Sequence, residues 1–168
     1  KQIHGHMSDK RFVRPNTMYI EGSPVIECAI VLNRSLQDML LQSWGDKIAI
    51  FPAVPKAWDS IVFHDLRAEG AFLVSAKRKA GKTAWVRIKS LAGEPCRIQP
   101  GLDGEVTVLI NGKSAKIAPS ASGIYKLPLA KGDEAILYAG AKAPDLTITP
   151  LPADPKKINP FGGPKTNK

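Results

Sequence analysis

The stretch that most constrains this chain is Val106-Thr107-Val108-Leu109-Ile110, which runs directly into Asn111-Gly112. Asn and Gly accept positive φ at both central positions of a two-residue turn, and the twist of such a turn matches that of the strands it joins. A β-branched run ending on that dipeptide predicts a hairpin. The same grammar extends over residues 47–140. Lys47–Phe51, Ile61–His64, Cys96–Ile98, Ile124–Leu127 and Ala135–Tyr138 are short apolar runs separated by Gly- or Pro-containing breaks. Phe72–Lys77 and Trp85–Lys89 alternate with period two on either side of Ala80-Gly81, a second hairpin signal. About eight strands spaced 8–12 residues apart argue for an antiparallel β-sandwich. Asp145–Thr149 could add an edge strand.

One helix precedes this β region. Leu32, Leu36, Met39 and Leu40 recur at helical spacing. The expected helix covers about residues 29–43, with Ser35 and Asp38 as a weak capping box and Gly45 as the residue past its end. A single amphipathic helix of this length needs a large apolar partner to be stable. The organisation read from the sequence is therefore three-part: 1–46, a leader and helix; 47–140, the sandwich; and 141–168, an extended or disordered tail rich in Pro and Lys.

Charge narrows the function classes. The net charge is +9, but most of the excess lies in residues 1–16 and 150–168. The internal basic run Lys77, Arg78, Lys79, Lys82, Arg87 and Lys89 surrounds Trp85. It reads as the solvated face of a hairpin rather than a nucleic-acid footprint, and no nucleic-acid partner is expected. No apolar run approaches the ~20 residues of a membrane span. Cys28 and Cys96 each sit among apolar residues and are expected as buried free thiols. His4-Gly5-His6 lacks the further ligands of a metal site, and no metal or cofactor is expected. His64 beside Asp65 reads as a structural pair, while Trp85 and Tyr125 are the aromatic candidates for a sugar-binding platform, although in sandwiches such residues are more often core.

No phosphate loop, metal spacing or nucleophile elbow is present. What remains is a pair of carboxylates, Glu21 and Glu27, flanking the break Gly22-Ser23-Pro24. Glu27 stands among Val25, Ile26 and Cys28, a setting in which a carboxylate loses solvation or needs a partner. Paired carboxylates are the usual equipment of glycoside hydrolysis.

Several blocks carry a resemblance. Ser23-Pro24-Val25-Ile26-Glu27 followed by Leu36-Gln37-Asp38-Met39-Leu40-Leu41-Gln42-Ser43-Trp44 resembles the last catalytic segment of glycoside hydrolase family 95, the α-L-fucosidase-like enzymes. Ile50-Phe51-Pro52-Ala53-Val54-Pro55-Lys56-Ala57-Trp58, Leu66–Ala76 and Ser90–Cys96 follow in the family's order. The resemblance implies a larger enzyme: an N-terminal β domain, an (α/α)6 barrel and a C-terminal β domain. The helix would then be the last of the barrel, and the missing barrel would be its partner. The family's catalytic Asp precedes the Met of Met-Leu-Leu-Gln-Ser by twelve residues; here that position is Glu27. The resemblance implies that this carboxylate serves the attacking water of an inverting reaction on an α-linked sugar. The general acid would lie in an earlier part of the barrel, so this chain alone is expected to be inactive. Glu21 is the accompanying substrate-binding candidate. A periplasmic or extracellular location is also implied. Two departures stand out: Glu replaces Asp, adding a methylene, and Cys28-Ala29-Ile30-Val31 replaces the family's Gly-Asn-Phe-Gly. The competing reading is a stand-alone carbohydrate-binding or structural sandwich without catalysis.

Overall fold

In the computed structural model, residues 19–21 and 23–149 are described. They fall in two compact units, one ending at Leu36 and one running from Gln37 to Ile148. The His4/His6 pair and the tail beyond residue 149 lie outside the described residues.

In the first unit, β1 (Tyr19–Glu21) pairs antiparallel with β2 (Ser23–Val25), Tyr19 opposite Val25 and Glu21 opposite Ser23. Helix α1 (Ile26–Leu40) follows without a break. It starts and stops about three residues before the expected 29–43. Ser35 is not a cap. It lies in mid-helix, and its hydroxyl donates to the carbonyl of Val31 at 2.8 Å, a bond that keeps a serine compatible with the helix interior.

The end of α1 is set by tertiary pairing. Leu41-Gln42 forms β3, antiparallel to β4 (Ile48–Ile50), with Leu41 opposite Ile50. Phe51 N–H donates to Leu40 O at 2.8 Å, Ala53 N–H to Met39 O at 3.4 Å, and Gln42 Nε2 to Asp38 O at 3.0 Å. Those bonds satisfy carbonyls that a glycine cap would otherwise serve. Gly45, with φ 72°, instead belongs to the turn between β3 and β4.

The other strands are β5 (Ile61–Ala68), β6 (Phe72–Lys79), β7 (Lys82–Ser90), β8 (Cys96–Gln99), β9 (Val106–Ile110), β10 (Lys113–Ser114), β11 (Tyr125–Leu127) and β12 (Glu134–Ala139). They build a six-stranded sheet, β10-β9-β12-β7-β6-β5, and a four-stranded sheet, β11-β8-β4-β3. Buried residues of both sheets form one core, including Ile48, Ile50 and Ile98 from the smaller sheet and Val74, Val86, Ile88 and Leu137 from the larger. Phe51 meets Phe63 edge-on across it, with ring centroids 5.4 Å apart. The fold is the expected mainly β sandwich with one helix.

Both forecast hairpins form. Ile110 pairs with Lys113 around Asn111 (φ 50°) and Gly112 (φ 76°), and Lys79 pairs with Lys82 around Ala80 (φ 49°) and Gly81 (φ 76°). Two details differ from the expectation. β4 runs parallel to β8, the one parallel ladder among the described strands, because the β5–β7 meander intervenes and returns the chain in the same direction. Residues 145–149 form no ladder; Asp145 Oδ1 accepts the N–H of Thr147 at 2.9 Å, and that local turn competes with strand pairing.

Candidate functional site

Glu27 lies in the first turn of α1, and its side chain is exposed. The local apolar sequence therefore does not enclose it. A carboxylate at a helix start is favoured by the positive end of the helix dipole and by backbone N–H groups without intrahelical partners. Glu21 ends β1 opposite Ser23, and β2 lies between it and Glu27 in the chain. Ile30 and Val31, further along α1, are 60% and 63% exposed.

Neither aromatic candidate is a platform. Trp85 is 1% exposed and Tyr125 is buried. Trp85 faces away from the sandwich core, beside Lys77 and Tyr138 on neighbouring strands, yet it is covered, and its indole N–H has no hydrogen-bond partner among the described residues. Among the described residues the exposed aromatics are Trp44 at 54% and Trp58 at 40%. Composition could not separate these three tryptophans. Trp85 occupies a central strand of the larger sheet, whereas Trp44 lies in the connection from β3 to β4.

Three of the six cations of the basic run face a carboxylate. Arg87 Nη2 lies 3.4 Å from Asp65 Oδ1 and 3.3 Å from Ser75 Oγ. Lys89 reaches Glu134 at 3.9 Å, and Lys82 reaches Asp103 at 3.2 Å. Burial opposes ionisation of Asp65, but the Ser75 hydrogen bond and the charges of His64, Arg87 and Lys89 outweigh it and hold the carboxyl below its ordinary value. His64 lies 3.6 Å from Asp65, as the structural-pair reading expects. Cys96 is a buried free thiol, its pKa pushed up to about 12 by burial. The side chain of Cys28 lies outside the described residues. Among the described residues no cluster of His, Cys, Asp and Glu could hold a metal ion, and no helix is long and apolar enough to cross a membrane.

A polar cavity of about 240 Å³ opens at one end of the sandwich. Ser43, Asp46 and Lys47 from the β3–β4 connection, Glu69 from the β5–β6 turn, Glu94 from the β7–β8 loop and Arg97 of β8 line it. Phe72 closes it from the core side, beneath Gly70. A Cβ on Gly70 would fall 2.6 Å from the Phe72 ring, and φ at this residue is +79°, so glycine is the residue that lets the β5–β6 turn lie on that ring. No motif in the sequence signals this cavity, because its residues come from three separate stretches, 43–48, 69–72 and 94–97.

Residues 42–137 match the family model described as "Glycoside hydrolase family 95, C-terminal domain". Among solved structures, the chain is similar to Ara127N-Se, a GH127 beta-L-arabinofuranosidase from Geobacillus Stearothermophilus T6. The two share 20% identity over 78% of this chain and 21% of that one, with a TM-score of 0.37. This chain thus spans about a fifth of that protein's length. No curated protein matches. The family match covers more than half of the chain and nearly all of the two-sheet unit, so the chain belongs to glycoside hydrolase family 95, whose C-terminal domain it carries.

Proposed function

We propose that this chain is the C-terminal part of an α-L-fucosidase-like glycoside hydrolase that cleaves α-linked sugars by inversion. The family match over 42–137 carries the reading. In it, α1 is the last helix of a helical barrel, and the apolar residues Ile30 and Val31 face that barrel. Glu27 activates the attacking water, and Glu21 contacts the sugar. The exposure of Glu27 at a helix start supports the assignment, since a base that serves water must be reachable by it. An inverting reaction needs a second carboxyl group ~6.5–9.5 Å away as general acid, and the barrel would supply it. The parent enzyme would act outside the cytoplasm, in the periplasm or beyond.

The test is hydrolysis of an aryl α-L-fucoside by the complete enzyme, with the anomer of the released sugar followed by NMR. Initial release of the β-anomer is expected. Initial α-anomer would exclude inversion, and absence of turnover on α-linked sugars would exclude the hydrolase reading. The second reading, carbohydrate binding without catalysis, is favoured by one observation: exposed Trp44 stands in the connection that lines the polar cavity.

A further inference from the structure

We propose that the cavity at the end of the sandwich is a carbohydrate-binding site that takes one neutral sugar ring. The proposal rests on the glycoside-hydrolase reading for the choice of sugars to test; the geometry carries the ligand class.

The lining decides the chemistry by elimination. Glu69 and Glu94 are exposed carboxylates whose oxygens make no hydrogen bond or ion pair among the described residues, so an anionic ligand such as phosphate would be repelled. Lys47 and Arg97 sit in the same wall as Asp46, Glu69 and Glu94, so the lining is mixed in charge and no ligand of a single sign matches it throughout. Five charged side chains around so small a space make it costly for an apolar molecule to displace their water. A neutral ligand dense in hydroxyl groups satisfies all of them, because each hydroxyl both donates and accepts.

The hydrogen-bond capacity left in the walls fits the same ligand. Ser43 Oγ accepts the N–H of Glu69 at 3.1 Å, which keeps its own O–H free to donate. Lys47 Nζ gives one bond to Gln99 Oε1 at 2.9 Å and retains two N–H groups. Arg97 Nη1 pairs with Asp46, and both residues line the cavity. The two glutamates accept without being spent elsewhere. The walls are also anchored: Glu69 through its backbone to Ser43, and the β7–β8 loop through Gly93 N–H to Ser90 Oγ at 3.0 Å. A site anchored in this way loses little freedom on binding.

Size and setting agree. About 240 Å³ lies below the ~300–1,000 Å³ typical of drug-sized ligands, which suits a single ring. Trp44 sits in the chain between Ser43 and Asp46, both lining residues, and is 54% exposed.

The experiment is a ¹⁵N–¹H NMR titration of the 168-residue chain, separately with L-fucose, D-galactose, inorganic phosphate and 1,4-diaminobutane. Saturable shifts at the amides of Ser43–Ile48, Glu69–Phe72 and Glu94–Arg97 are expected with at least one sugar and with neither ion. Glu69→Gln/Glu94→Gln, which keeps shape and removes both charges, should weaken that binding by at least ~10-fold. Its spectrum away from the cavity shows that it is folded. Absence of sugar-induced shifts at these amides overturns the proposal. So does a response to phosphate or the diamine in place of sugar, or unchanged affinity in the folded double variant. The outcome is independent of catalysis. A complete enzyme that cleaves the fucoside while the cavity binds no sugar removes this site alone. An inert enzyme whose cavity binds sugar removes the hydrolase reading alone.

Discussion

Ser75 and Asp65 hold each other by two bonds: the Asp65 backbone N–H donates to Ser75 Oγ at 2.9 Å, and that hydroxyl donates to Asp65 Oδ1 at 3.0 Å. The pair closes a β-bulge. Asp65 has φ 49°, at the place where the β5–β6 register shifts between Phe63 and Leu66. A bulged strand leaves ladder groups unpaired, and a fully buried serine on the neighbouring strand replaces the missing partner.

Asp65→Ala should destabilise the chain by about 1–3 kcal/mol in urea unfolding, since it strips an acceptor from both Ser75 and Arg87. The pH dependence has a definite sign. The folded-state pKa of Asp65 lies below its unfolded value, so its contribution is present above the unfolded value of about 3.9 and is lost as pH falls through the folded pKa. Asp65→Asn should therefore flatten the acid limb of the stability profile and leave the neutral-to-alkaline slope unchanged. An unaltered acid limb would show that the carboxyl is not held by these partners.

The Asn111-Gly112 turn separates two physical contributions. A Cβ added at Gly112 would meet open space, but φ there is 76°, so Gly112→Ala should cost about 1 kcal/mol through backbone strain alone. Asn111 also clamps the turn: its Nδ2 donates to Asp133 Oδ1 at 2.8 Å, and its Oδ1 accepts the N–H of Glu134 at 2.9 Å. Asn111→Gly keeps the positive φ and loses the clamp, whereas Asn111→Ala loses both. Thermal melts should rank parent above Asn111→Gly above Asn111→Ala; a tie between the two variants would mean that φ at this position carries no cost.

Cys96 is 2% exposed and its pKa is pushed up to about 12, so thiolate is scarce at neutral pH. In a Cys28→Ser background, where it is the one remaining thiol, labelling by a disulfide reagent should be slow in buffer and rapid in denaturant. Fast labelling of the folded chain would place Cys96 at the surface.

Glu27→Gln addresses the proposed chemistry without disturbing the fold. The side chain is exposed, so stability should change by no more than about 0.5 kcal/mol. In a complete, active enzyme kcat should fall by at least ~10²-fold, with a smaller effect on substrate binding. The 168-residue chain alone should not hydrolyse an aryl α-L-fucoside. Turnover within a few-fold of the parent in folded Glu27→Gln enzyme would remove Glu27 from the mechanism.

The sandwich, both two-residue hairpins and the presence of one helix were legible in the sequence because local rules determine them. Period-two alternation sets the strand faces, and residues tolerant of positive φ set the turns. The family was legible for a related reason: Met39-Leu40-Leu41-Gln42-Ser43 and Phe51-Pro52-Ala53-Val54-Pro55 are contiguous blocks. Tertiary structure decided what depends on partners distant in the chain. Helix α1 ends at Leu40 rather than near residue 43 because Phe51 and Ala53 reach its last carbonyls and Ile50 pairs with Leu41. The parallel β4–β8 ladder follows from which sheet each strand joins. Trp85 is buried and Trp44 exposed although each follows a small residue, since strand order sets cover and composition does not. The polar cavity was invisible for the same reason. Ser43, Glu69, Glu94 and Arg97 meet where two sheets end together, and no spacing along the chain encodes that meeting.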